Sequence, residues 1–173
     1  MSKSLLGNVL LGVLVLTQVF AVAQAPKSSA AKKAGARPAA TSAPVIVTPD
    51  NVKWGDPPPF VEAGSQFAVL SGNPNAAGPF VFRFKMPDGY KIMPHWHPTQ
   101  ENVTVLSGEL HVGMGDKFEE GGMNALPAGA FAAIPARHHH YAMAKGETVI
   151  QVHATGPFKL IYVNPADDPS KKK

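Results

Sequence analysis

Residues 89–108 read GYKIMPHWHPTQENVTVLSG. Two histidines stand one residue apart, a proline breaks the run, and a glutamate follows after three more residues. On a strand, side chains i and i+2 share a face, so His95 and His97 project together while Trp96 points the other way. Pro98 has no amide hydrogen for a central ladder, so the chain is expected to turn through Pro98, Thr99 and Gln100. A three-residue loop would then set His97 opposite Glu101 on neighbouring antiparallel strands, with Cβ atoms roughly 5 Å apart. Two imidazoles and a carboxylate on one side of a cation leave its other positions open for water or substrate, as in non-haem iron and several other divalent sites. The alternative is a surface hairpin with solvated histidines and a charged glutamate.

On either side of this stretch, short apolar runs alternate with turn residues: QFAVL before SGNPNAAGP, FVFRFKM before PDG, NVTVL before SG, ELHVGM before GDKFEEGG. ALPAG, AFAAIPA, HHHYAMA, KGE, TVIQVHA, TGP and FKLIYV follow. Turn signals at this spacing predict short antiparallel strands closing into a sandwich or barrel. No segment sustains a helical period for about ten residues, and prolines interrupt the candidates. The fold class is all-β, over one domain from Val45 to about Asp168.

The ends of the 173-residue chain have a different character. Residues 1–23 carry Lys3 and then an uncharged apolar stretch from Leu5 to Phe20, ending on small residues, as a secretory signal peptide does. Cleavage is expected after Ala23, with Ala25 the other candidate. Residues 24–44, rich in Ala, Ser, Pro and Lys, have almost nothing large to bury and read as a disordered linker. Residues 169–173 form a basic tail. Lys27, Lys32, Lys33 and Arg37 with the terminal lysines make seven of the sixteen basic residues and account for much of the formal charge of +4. The domain itself is therefore near neutral, which argues against nucleic acid as a partner. There is no cysteine, so the core holds the fold without disulfides, even in an exported compartment. The expected location is periplasmic or secreted, with no stable membrane anchor once the leader is removed.

Downstream, in GAFAAIPARHHHYAM, His138 and His140 share a strand face and His139 points oppositely; periodicity alone does not choose between them. Gly89, His95, His97, Glu101 and Gly108, at intervals of five, one, three and six residues, match the first signature of the cupin superfamily. Gly129, Pro135 and His140 resemble the second, although Arg137 stands where cupins usually have glycine and Ala144 where they usually have asparagine. The wording of QFAVLSGNP, HWHPTQENVTVLSGELHVGMGDKF and IYVNPADDP is similar to single-domain exported cupins related to the metal-binding domain of ChrR-type anti-sigma factors. The resemblance implies a double-stranded β-helix, a jelly-roll barrel, holding a divalent metal by His95, His97, Glu101 and His140.

Three nitrogens and one oxygen suit Zn, Fe, Mn, Ni or Cu, and affinity order with loading outside the cytoplasm makes zinc the expected ion. The resemblance makes a dioxygenase the commonest activity, with isomerase or lyase behind it; a non-catalytic module that binds metal or a small ligand is the alternative. A proton-carrying residue inside the barrel would separate the two. The candidates are His153, Tyr90, Tyr141 and His138, with Gln151 beside His153 by strand parity and Arg83 as a further substrate contact. Trp96, Phe82, Phe84, Met86 and Met93 read as packing residues, and Gly89 and Gly108 as turn glycines. The expected partner is a small molecule, and pairing into a homodimer is a further expectation for a small barrel with apolar faces.

Overall fold

A computed structural model describes residues 43–172; the expected signal peptide and nearly all of the expected linker lie outside them. Eight strands follow in chain order: β1 (Gln66–Ser71), β2 (Gly78–Met86), β3 (Lys91–Trp96), β4 (Glu101–Met114), β5 (Asn124–Pro127), β6 (Phe131–Ile134), β7 (His140–Gly156) and β8 (Ile161–Tyr162). Every pairing is antiparallel. No helix among the described residues is long and apolar enough to cross a membrane.

β4 and β7 organise the barrel. They pair with each other from Glu101↔Ala154 to Met114↔His140. The far half of β7 also carries β2, and its near half carries β3. β4 carries β6 on its first half and β5 on its second. Two turns expected from sequence, at Ser107–Gly108 and Lys145–Glu147, are bends inside these long strands. The β4–β7 register shifts around Ser107, and Gly108 takes φ +74°. One extra residue and a left-handed glycine let a strand turn a corner without ending. Thr148, fully buried beside the corner, accepts from the Glu109 amide at 3.2 Å and donates to the Glu109 carbonyl at 3.1 Å.

Strand alternation fills the interior. Phe80, Phe82, Phe84 and Met86 of β2 point inward with Val103 and Val105 of β4 and Ile150 and Val152 of β7, while Arg83 and Lys85 stay on the outer side. The expected hairpin between β3 and β4 does not form: β3 pairs with β7 and β8, and β4 with β5, β6 and β7. The segment from His97 to Gln100 instead crosses from one ladder to another. Arg137, at the position where cupins usually have glycine, adopts φ +62° and its amide donates to the His97 carbonyl at 2.8 Å. The left-handed conformation is thus kept without glycine, at a cost of about 1 kcal/mol. At the C-terminus, Lys171 and Lys172 pair with Asp168 and Glu62, at 3.4 and 2.5 Å.

Candidate metal centre

His95, His97 and His140 come from the end of β3, the crossing segment and the start of β7, and all are buried. His95 and His140 are direct cross-strand partners. One ring nitrogen from each of the three lies within 4.8 Å of the others. Glu101, the first residue of β4, faces inward with Val103. Its Oε2 lies 3.5 Å from His97 Nε2 and 3.3 Å from His140 Nε2, so the carboxylate joins the imidazoles from that side.

Each ring is oriented by a backbone carbonyl. His95 Nδ1 donates to Met93 at 2.7 Å, His97 Nδ1 to Lys159 at 2.8 Å and His140 Nδ1 to His138 at 2.9 Å. A carbonyl can only accept, so the proton sits on Nδ1 and the Nε2 lone pair is free. His97 Nε2 and His140 Nε2 are buried without any hydrogen-bond partner. Orphaned buried acceptors are rare, and three carbonyl-anchored imidazoles beside a carboxylate form a donor set that fits a divalent cation. His95, His97, Glu101 and His140 are the residues that could hold it.

The electrostatics favour neutral His95 and His97 beside an ionised Glu101. Burial pushes His95 well below its ordinary 6.5, and charge on His140 and His97 pushes it further. Burial also lowers His97, with Glu101 acting in the opposite sense. For Glu101, burial alone would raise the pKa; the His97 and His140 imidazoles outweigh it and hold the carboxyl below its usual value.

These directions fix the acid response of the metal-free protein. Below 6.5 the unfolded histidines take up protons that folded His95 and His97 refuse, so stability present above that pH is lost as the pH falls toward their folded values. Glu101 adds a loss of the same sign below 4.5. The expected result is a Tm that is level above about pH 7 and declines steadily below it, with a shallower decline in His95→Gln. Thermal unfolding across that range checks it; a Tm that rises on acidification is the contrary outcome.

The site opens onto a cavity of about 640 Å³ lined in part by His95, His97 and Glu101. None of the four proton-carrying candidates lines it. His153 is exposed on the outer face of β7, because the inward parity there belongs to Ile150, Val152 and Ala154; Gln151 lies 3.4 Å from it and accepts from Arg83 at 3.0 Å. Tyr90 is buried but donates to the Glu62 carbonyl, and Tyr141 donates to the Glu119 carbonyl at 3.2 Å. His138 is exposed and supplies only its backbone carbonyl. His139 pairs with Asp116 at 2.6 Å and stacks near Trp96, outside the cluster.

Sequence reasoning missed Phe158, whose ring lies 4.3 Å from that of His97 and nearly parallel to it, and Lys159, whose carbonyl orients the same imidazole. Both follow TGP, which reads locally as a turn. Residues 58–61 were missed too; they border the cavity, with the Phe60 carbonyl accepting from Tyr162 at 2.9 Å.

An antiparallel barrel with inward histidines from two separated regions and a carboxylate between them defines the protein's class by fold: the described residues form a cupin barrel. More narrowly, the chain belongs to the family described as Domain of unknown function (DUF4437), whose model matches residues 21–161. No curated protein matches the chain in sequence. Among solved structures it is similar to the polyketide cyclase RemF from Streptomyces resistomycificus, with 20% identity over 73% of this chain and 89% of that one and a TM-score of 0.58. An acetylacetone dioxygenase from Acinetobacter johnsonii shares 16% identity over 76% of this chain and 85% of that one, TM-score 0.58. An RmlC-like cupin from Shewanella frigidimarina shares 17% over 64% and 88%, TM-score 0.50. At these identities the likeness is one of fold.

Proposed function

We propose that this cupin is an exported, metal-dependent oxidoreductase of dioxygenase type acting on a small oxygenated substrate, with His95, His97, Glu101 and His140 as the metal ligands. The observation that carries the reading is the set of three carbonyl-anchored imidazoles and one ionised carboxylate at a cavity large enough for a substrate. A bound divalent ion supplies a Lewis-acidic centre for a chelating oxygen ligand and, if it is iron, manganese, nickel or copper, a redox-active one. The chain's own residues do the rest. The backbone carbonyls of Met93, Lys159 and His138 fix the rings, and the apolar walls exclude water. Glu101, the one carboxylate lining the cavity among the described residues, is placed to accept a proton from an enolisable substrate.

Isomerase and lyase chemistry is less well supported, because no separate acid or base lines the cavity among the described residues. The same observation favours a second reading, a non-catalytic module that binds a metal or a small ligand. Elemental analysis of the protein from its native compartment, followed by anaerobic reconstitution with each candidate ion and oxygen-uptake assays, separates them. Substrate-dependent oxygen uptake with at least one ion is expected; ion and ligand binding with no uptake for any ion would leave the binding module. The export part of the proposal rests on residues 1–23, and mass spectrometry of the mature protein is expected to find them removed. Their retention refutes it.

A further inference from the structure

Among the described residues, the side chains lining the cavity are polar at two places. His95, His97 and Glu101 lie at one, and Asn73 and Asn75, both exposed, mark the other where the cavity meets solvent. Between them the wall is hydrocarbon, much of it aromatic. Phe67 and Phe82 approach to 4.7 Å between ring centres, Phe158 meets Phe82 edge-on at 5.9 Å, and Phe84 continues the wall. No lysine or arginine side chain among the described residues lines the cavity. The alternation that sends Phe82 and Phe84 inward sends Arg83 and Lys85 out, and Lys159 is exposed between Phe158 and Leu160.

From this distribution we infer that the barrel takes an uncharged, mainly apolar, ring-bearing molecule that presents a pair of oxygens to the histidine end. The oxygen-bearing head rests on the metal centre proposed above; the body rests on the walls alone. A carboxylate or phosphate on that body would enter without a countercharge along the hydrocarbon wall. A polyol would leave its hydroxyls unpaired against phenyl rings. A flat ring stacks or meets these aromatics edge-on, and 640 Å³ lies within the usual range for enclosing a small organic ligand.

The test uses the full chain loaded with zinc and three probes in titration calorimetry. 1-Phenyl-1,3-butanedione carries both a chelating head and a ring, acetylacetone the head alone, and the para-carboxylated phenyl diketone the same head with a charged body. The phenyl diketone is expected to bind at least about tenfold more tightly than acetylacetone, and its para-carboxylated derivative to lose that advantage. Val69, half exposed on the cavity wall, provides the variant: Val69→Trp is expected to narrow the cavity and reduce the phenyl advantage while zinc content stays unchanged. Equal affinities for the phenyl diketone and acetylacetone, or binding of the para-carboxylated ring as tight as that of the plain one, on a chain fully loaded with zinc overturn the inference and leave the metal centre standing. A chain that takes up no ion refutes the metal centre, and with it the chelating head.

Discussion

Alanine in place of His95, His97, Glu101 or His140 is expected to leave the protein with far less than one bound ion, whereas alanine in place of His139 should leave metal content unchanged. The difference follows from position. The four residues converge in the interior, with three Nε2 atoms unprotonated and two of them lacking any protein partner. His139 is spent on a surface pair with Asp116. Loss of a group that merely orients a ligand costs about 10–100-fold in metal affinity, so removal of a ligand itself should exceed about 100-fold. The same variants separate in stability. Zinc at about a thousand times its Kd adds about 4 kcal/mol to the folded state, so the parent protein and His139→Ala should gain Tm on zinc addition and the four ligand variants should not. Inductively coupled plasma analysis and thermal unfolding check both halves; equal metal retention across all five would refute the assignment.

The second large effect is expected at the barrel corner. Gly108→Ala should lower the unfolding free energy by about 3 kcal/mol, and Gly89→Ala by only about 1 kcal/mol. Both glycines have nearly the same positive φ, +74° and +72°. They differ in what a Cβ would meet. At Gly89 there is nothing within 4 Å; at Gly108 it would press on the Glu147 carbonyl, the Thr148 hydroxyl and the Thr148 Cα, which would lie 2.8 Å away. Backbone on the facing strand cannot yield without disturbing the β4–β7 pair on which both halves of the barrel depend. Chemical denaturation of the two variants measures the difference, and equal losses would mean that the corner has slack.

The convergence of His95, His97, Glu101 and His140 was legible because most of its signal is local and periodic. His95-x-His97 has strand parity and Glu101 follows within one connection, while His140 was singled out from three adjacent histidines by the resemblance of Gly129, Pro135 and His140 to the second cupin signature. The route of convergence was not legible. A short connection between β3 and β4 reads as a hairpin, yet which ladder each strand joins is decided by β7, about 40 residues downstream. Strand ends were misread for a related reason: Ser107–Gly108 and Lys145-Gly146-Glu147 have turn chemistry, and only the pairing of two long strands makes them bends. Of the proton-carrying candidates, His153 is placed outside the cavity by parity, since the inward face of β7 beyond its corner is set by Thr148, Ile150 and Val152, whereas Tyr90 and Tyr141 are held by the Glu62 and Glu119 carbonyls. Phe158 and Lys159 carry no motif; what places them is tertiary contact with His97.

The hydrogen bond from His97 to the Lys159 carbonyl ties the C-terminal wall of the barrel to the ion. Peptide groups around Phe158 cannot swing away without rotating an imidazole off its axis, and an imidazole fixed by a cation resists that rotation. Amide protons at Phe158, whose nitrogen donates to the Pro74 carbonyl at 2.7 Å, and at Val163, which donates to Pro94, would therefore exchange with deuterium more slowly once zinc is bound. Occupancy of the centre would in this way be felt at the rim, stiffening the doorway through which any guest must pass.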